Sequence, residues 1–337
     1  MSNTRVKRGS TVKLGRVEGE LDVGNNAKIE PSSSGDEKLV VVSQGAYFEG
    51  SAEVNCSFEC ETLKVGYRGR QPLRIGGDLR VHKKLEIGES IEVLGIIEAE
   101  EIDVMGKIRA GSIKCDRFNA LGNASVTGNL DCDVMEISKV TRVQGNCVAK
   151  TIGVNGQLRL QGTLESAESV VIYGSAEISQ VLKSPSLKIG GKFRALRAEI
   201  GGEIALNGEA ETAQGLLGNT VIIATGSKCR GPIVGDHVEV GKSGAVLADR
   251  RNSLAGQSLK LRVIGKGTRV DDVYGKLVHL GASSQSNNVY SEIVEFEQGA
   301  VANQVQYTGE IRGPIQTGHF QHTPRKITKL PSPVMPQ

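Results

Sequence analysis

Apolar positions recur along this chain with a period of about seventeen residues. Phrases of the form apolar-x-apolar-x-Gly close at Gly88, Gly106, Gly122, Gly156, Gly174, Gly191 and Gly208, and Lys139 takes the beat missing between Gly122 and Gly156. The steps are 18, 16, 17, 17, 18, 17 and 17 residues. Several units carry a second glycine, at Gly111, Gly128, Gly145 and Gly162. A fixed short period marks a repeat architecture, in which each unit buries its apolar face only against its neighbours.

Inside each unit the residues alternate as they do in a half-buried strand. Two positions after each beat stand Ile108, Ala124, Thr141, Leu158, Ala176, Phe193 and Ala210. Four positions after stand Ala110, Val126, Val143, Leu160, Ile178, Ala195 and Thr212. Fifteen positions after stand Leu121, Ile137, Val154, Val171, Ile189, Leu206 and Ile223. Between the first two columns the residues are polar: Arg109, Ser125, Arg142, Arg159, Glu177, Arg194 and Glu211. Units this short leave no room for a helical hairpin. The pattern predicts an all-β fold, a β-solenoid (β-helix) of about seventeen-residue coils in the right-handed sense, with flexible tails. Glycines would turn its corners, and like positions would stack at ~4.8 Å.

Less regular coils extend the repeat in both directions, from LVVVSQGAYFEG (39–50) to KLVHLGASSQSNNVYSEIVEFEQGAV (276–301). The domain organisation expected is a flexible basic segment over 1–37, with a coil or two at 10–30, and a regular solenoid over 38–225. An irregular continuation or second module follows over 226–312, and a disordered Pro-containing basic tail over 313–337. The stretch RRNSLAGQS (250–258) reads as a loop bulging from a corner. About fourteen coils at ~4.8 Å would make a rod on the order of 65 Å long.

Composition agrees: 43 glycines, 4% aromatic residues and no tryptophan suit a narrow aliphatic interior. The balance of 41 basic and 38 acidic residues does not point to general nucleic-acid binding. No run approaches the roughly eighteen apolar residues of a membrane span, and no secretory leader is evident. The expected location is cytoplasmic, with weak membrane association through the basic tails.

Candidate chemistry is sparse. Cys56 and Cys60 lack the second close pair of a zinc site. Cys115, Cys132 and Cys147 follow the coil period and are expected to point inward as small hydrophobes. None of His82, His237, His279, His319 and His322 adjoins a nucleophile with an orienting acid. The arginine column Arg109, Arg142, Arg159 and Arg194 is interrupted by Glu177 and Glu211, as on an ordinary solvated sheet face. The glycine-rich pieces lack a P-loop arrangement. No catalytic, metal or cofactor site is expected, and no small-molecule substrate.

The repeated phrases IDVMGKIRAG and IGVNGQLRLQG, with GSAEVN and GNLDC, resemble the bactofilin family of polymer-forming cytoskeletal proteins. The likeness runs over roughly 40–312, although that rod would be longer than the family's single compact module. The resemblance implies a structural protein, not an enzyme, that forms filaments without nucleotide, with itself as principal partner and client proteins beside it. The physics agrees. Each end of a solenoid is an unpaired strand edge over an uncovered core, a template for another end. Joints between like ends close by symmetry and would alternate along a non-polar filament. The candidate end coils are 39–50, with Val41, Val42, Tyr47 and Phe48, and 293–307, with Ile293, Val294, Phe296, Val301, Val305 and Tyr307. Two other readings stay open. One is an enzyme like the left-handed β-helix acyltransferases, whose strict six-residue rhythm is absent between Gly128 and Gly145. The other is a scaffold binding polysaccharide or nucleic acid on its flat faces.

Overall fold

The computed structural model describes residues 3–32, 38–67, 71–243, 267–314 and 320–333. Contacts divide the chain into two compact units, Met1–Thr163 and Leu164–Gln337. Each is built from short strands paired in parallel, residue i with its counterpart one coil later.

The first unit starts earlier than the pattern suggests. Strands β1 (Asn3–Val6), β2 (Thr11–Leu14) and β3 (Arg16–Val17) form an opening coil; β2 and β3 fall within 10–30, where a coil or two was expected, and β1 lies ahead of it. Strands β4 (Glu20–Val23) and β5 (Ala27–Pro31) lie on β1 and β2, placing Thr4 on Leu21, Val6 on Val23 and Val12 on Ile29. The next coil sits on this one with Val23 against Phe48, a step of 25 residues. Extra residues between β5 and the strand Leu39–Val42 account for the length. That insertion takes this step out of the seventeen-residue period.

The interior is a set of aliphatic columns. Ile108, Ala124, Thr141 and Leu158 stack in register, all buried. Burying such side chains is worth roughly 25 cal/mol per Å² of apolar surface, and stacking makes each coil's burial depend on the next. Two expected core residues are displaced. Leu121 is 46% exposed, and Ala120 takes the column position beside Ile137. Val171 faces outward, and Ile172 stacks on Ile189. The cause is coil length. The coil from Gly106 to Gly122 is 16 residues long and that from Gly156 to Gly174 is 18, so counting fifteen forward overshoots the first and falls short in the second.

One corner of the first unit is held by side chains instead of backbone alone. The N–H of Asn146 donates to the side-chain oxygen of Asn129 at 2.9 Å, and the N–H of Thr163 donates to that of Asn146 at 2.9 Å. The N–H of Asn129 donates to Ser112 Oγ in the same way. At the opposite end of the strand the backbone passes so close that only glycine fits: a Cβ at Gly122 would enter the Gly106 carbonyl oxygen.

In the second unit pairing runs unbroken from Leu216–Ala224 to Ile233–Lys242, to Val273–Leu280 and to Ser284–Phe296. The proposed corner loop 250–258 lies outside the described residues. The final strand, Val301–Arg312, lies on Ser284–Phe296. Outward charges on both units pair across coils, as with Arg74 and Glu92 at 3.2 Å in the first and Arg194 and Glu211 at 3.0 Å in the second. These pairs are exposed and contribute little stability each.

Candidate assembly edges

A solenoid is complete along its length and incomplete where its strands run out of partners. In the first unit that place is the outer side of β1, β2 and β3. Each pairs on one side, with β4, β5 and Leu39–Val42 respectively. Among the described residues no strand pairs with the other side. The inward positions show the gap. Leu21 and Ile29 are 0% exposed, whereas Thr4 and Val12, stacked directly on them, are only partly buried, as is Leu14. The outward positions are basic, with Arg5, Lys7, Arg8, Lys13 and Arg16 all exposed and no acid among residues 1–17.

The expected N-terminal edge residues lie one coil further in. Val42 and Phe48 are buried at 2% and 0%, between β3 and β4 on one side and the strand Ser57–Val65 on the other. Phe48 meets Phe58 edge to face at 5.7 Å. Val41 points outward and Tyr47 is 37% exposed. This group belongs to interior coils, because the five strands β1–β5 precede it.

In the second unit the expected edge residues are in the last two coils. Val294, Phe296 and Val305 are buried, while Ile293, Val301 and Tyr307 are partly exposed. This edge is not bare. Gly313, at φ +107°, turns the chain where a Cβ would strike the Phe296 carbonyl. Residues 320–327 then lie along the outer side of the last strand, where a disordered tail was expected. Phe320 bridges to Ala302 and meets Phe296 edge to face at 4.9 Å. The N–H groups of Gln321 and His322 donate to the carbonyls of Ala302 and Asn303. The strand Arg325–Lys326 pairs in parallel with Gln306 and Tyr307, and the N–H of Ile327 donates to the Tyr307 carbonyl at 2.8 Å. Neither the proline content nor the charge of 313–337 signals this strap.

The remaining candidates do not assemble into a site. All six cysteines are buried. Cys115 and Cys132 stack in register. Burial raises the Cys60 and Cys229 thiols to about 12, and raises those of Cys56 and Cys147 too. Cys115 is raised by its contact with Cys132 and by burial. Thiols in that state are poor nucleophiles. Among the described residues no group of three or more His, Cys, Asp or Glu is placed to hold a metal ion. His82 lies 3.1 Å from Glu59, and His279 sits between Glu295 and Glu297. His237 is exposed, and His319 lies outside the described residues. Arg109, Arg142 and Arg159 form a column with Ser125 on the first unit, while Arg194 lies between Glu177 and Glu211 on the second. No helix among the described residues is long and apolar enough to cross a membrane.

Parallel coils of about seventeen residues, stacked in register around an aliphatic interior, make this an all-β solenoid protein. Residues 40–148, 109 of the 337, match the family model Bactofilin, described as polymer-forming cytoskeletal. That stretch is similar to the bactofilin family; the match covers about a third of the chain. No curated protein and no solved structure matches it.

Proposed function

We propose that this is a cytoplasmic structural protein that assembles end to end into filaments or scaffolds, through its coil edges and without nucleotide. The observation that carries the reading is the open side of β1–β3, where Thr4 and Val12 are partly exposed in columns that are closed one coil further in, at Leu21 and Ile29. An unpaired strand edge over an uncovered core gains backbone hydrogen bonds and apolar burial when a second copy meets it. The family description, polymer-forming cytoskeletal, supports the same reading. The charged outer faces of the coils remain free for client proteins, and the basic residues near the open edge are suited to weak contact with an anionic membrane surface.

The test is assembly of the purified chain in a dilution series with no nucleotide present, followed by sedimentation velocity and negative-stain microscopy. The expected result is threads or short rods whose size rises with concentration and is unchanged by ATP or GTP. Protein that remains monomeric throughout the series, at low and high salt, defeats the reading.

A further inference from the structure

The first unit carries an outward face that is basic and empty of acids. The strand segments 107–110, 123–126, 140–143 and 157–160 stack there in parallel register. Lys107, Arg109, Arg142 and Arg159 are exposed on it, and Lys139 is exposed at its corner. The acids of residues 107–163 are Asp116, Asp131, Asp133 and Glu136, and all of them lie past the corners at Gly111 and Gly128. Building on the client role proposed above, we infer that this face docks an extended acidic peptide segment of a client protein, with an apolar residue among its acids.

The cations of this face stand out by their lack of partners. Elsewhere on the first unit outward cations meet acids across coils, as with Arg80 and Glu98 at 3.0 Å, Lys84 and Asp103 at 2.7 Å, and Lys150 and Asp133 at 2.7 Å. Among the described residues no carboxylate lies within ion-pair distance of Lys107, Arg109, Lys139 or Arg142. Glu92, which stands in register with Arg109, is held by Arg74 at 3.2 Å. Glu177 and Glu211, which interrupt the arginines in the sequence, belong to the second unit. On the first unit the column from Arg109 to Arg159 contains only Ser125 between its bases.

The column closes no pocket, so its ligand lies flat upon it. A guanidinium grips a carboxylate with two parallel hydrogen bonds. Arg109 and Arg142 are two coil steps apart, roughly 10 Å, a distance that an extended peptide covers in about three residues. Val140, partly buried between Lys139 and Arg142, offers an apolar contact, and Asn123 and Ser125 offer hydrogen-bonding groups to peptide amides. The backbone groups of these strands already pair with neighbouring coils, so the side chains do the recognition. The outward positions hold no aromatic residue, the platform on which single-stranded nucleic acid stacks. A double helix is read by an element that enters a groove, and a flat sheet face presents none.

The test is fluorescence anisotropy of the full chain with a short labelled peptide at low salt. The probe carries glutamate at every third residue, one central valine and serine elsewhere. Its controls are the same peptide with glutamine for glutamate, a single-stranded oligonucleotide and a polyuronate. The glutamate probe should bind and be released as salt rises, because exposed charges are screened within about 10 Å. Arg109→Glu with Arg142→Glu should weaken binding about ten-fold, since two attractions become repulsions. Arg109→Gln with Arg142→Gln should weaken it less, in the same direction. Lys114→Glu with Arg117→Glu makes the same change in net charge past the Gly111 corner and should bind like the wild type. Urea midpoints establish that each variant is folded. Equal losses in the two charge reversals, or equal binding of the glutamine peptide, overturn the inference. Tighter binding of the oligonucleotide or the polyuronate, lost in Arg109→Glu with Arg142→Glu, overturns the peptide assignment. Sedimentation of the same proteins separates this inference from the end-to-end reading. If they assemble and no peptide binds, the docking face falls and assembly stands. If the peptide binds and the face variant releases it while nothing assembles, the reverse holds.

Discussion

Replacing Val12 by aspartate should leave the monomer folded and abolish its self-association. Val12 is partly buried on the open side of β2, and Ile29 beneath it is 0% exposed. In the isolated molecule the new carboxylate reaches water, so the substitution removes part of one valine's burial, about 1 kcal/mol. When a second strand edge covers this column, the same carboxylate is enclosed without a cation and costs several kcal/mol. A cost of about 4 kcal/mol weakens association by roughly three powers of ten. Ile29→Ala should behave in the opposite way. It empties a closed column and destabilises the fold by about 2–5 kcal/mol, whether or not a partner is present. Urea unfolding and a sedimentation dilution series on both variants separate the two effects. Wild-type assembly by Val12→Asp refutes the exposed-edge reasoning. A loss of more than about 3 kcal/mol in its monomer stability refutes it too, since that is the signature of a closed interior.

Other expectations bear on the coil itself. Gly122→Val drives a side chain into the backbone carbonyls of Met105 and Gly106 and should lower stability by about 1–3 kcal/mol, read from the urea midpoint; an unchanged midpoint would mean the corner can widen freely. Asn146→Ala removes the acceptor of the Thr163 N–H and should cost about 1 kcal/mol by the same assay, with Asn146→Asp recovering part of it. The native thiols should resist iodoacetamide at neutral pH and react once urea unfolds the chain; fast labelling of the folded protein would contradict their burial. For Cys60 and Cys229 the folded value, about 12, lies above the ordinary 9.0. The stability they contribute is therefore whole below about pH 9 and is lost as pH rises toward 12, at up to about 1.4 kcal/mol per pH unit for each thiol. Urea midpoints taken from pH 8 upward should show the decline, and Cys60→Ala with Cys229→Ala should flatten it.

The solenoid was legible because its information is repeated. Alternation over Lys107–Ala110, and again over Asn123–Val126, sends the same positions inward, and a glycine or its substitute marks each corner. The inward cysteines followed from the same count. The errors arose where coil length departs from seventeen, at Leu121, at Val171 and in the 25-residue step that set the coil expected at 10–30 apart from the regular repeat. That last miss moved the N-terminal edge from Val12 and Leu14 to Val42 and Phe48. The strap was illegible for a different reason. It is held by one aromatic contact and a few backbone hydrogen bonds to the last strand, and backbone pairing between distant segments leaves no periodic trace. Its prolines and lysines are also the residues of an unstructured tail.

The amide ladder at one corner of the first unit has a consequence for how such a chain can change its length. Leu130 follows Asn129 as Cys147 follows Asn146, and the two stand in register. Excising 130–146 would therefore rejoin the chain at an equivalent point, with every later side chain keeping its side and Thr163 still finding an asparagine oxygen beneath it. Loss of a single residue within a strand would instead turn the remainder of that strand inside out. Genes encoding such a protein can gain or shed material in whole turns at little structural cost, while small frame-preserving indels are tolerated only at the corners.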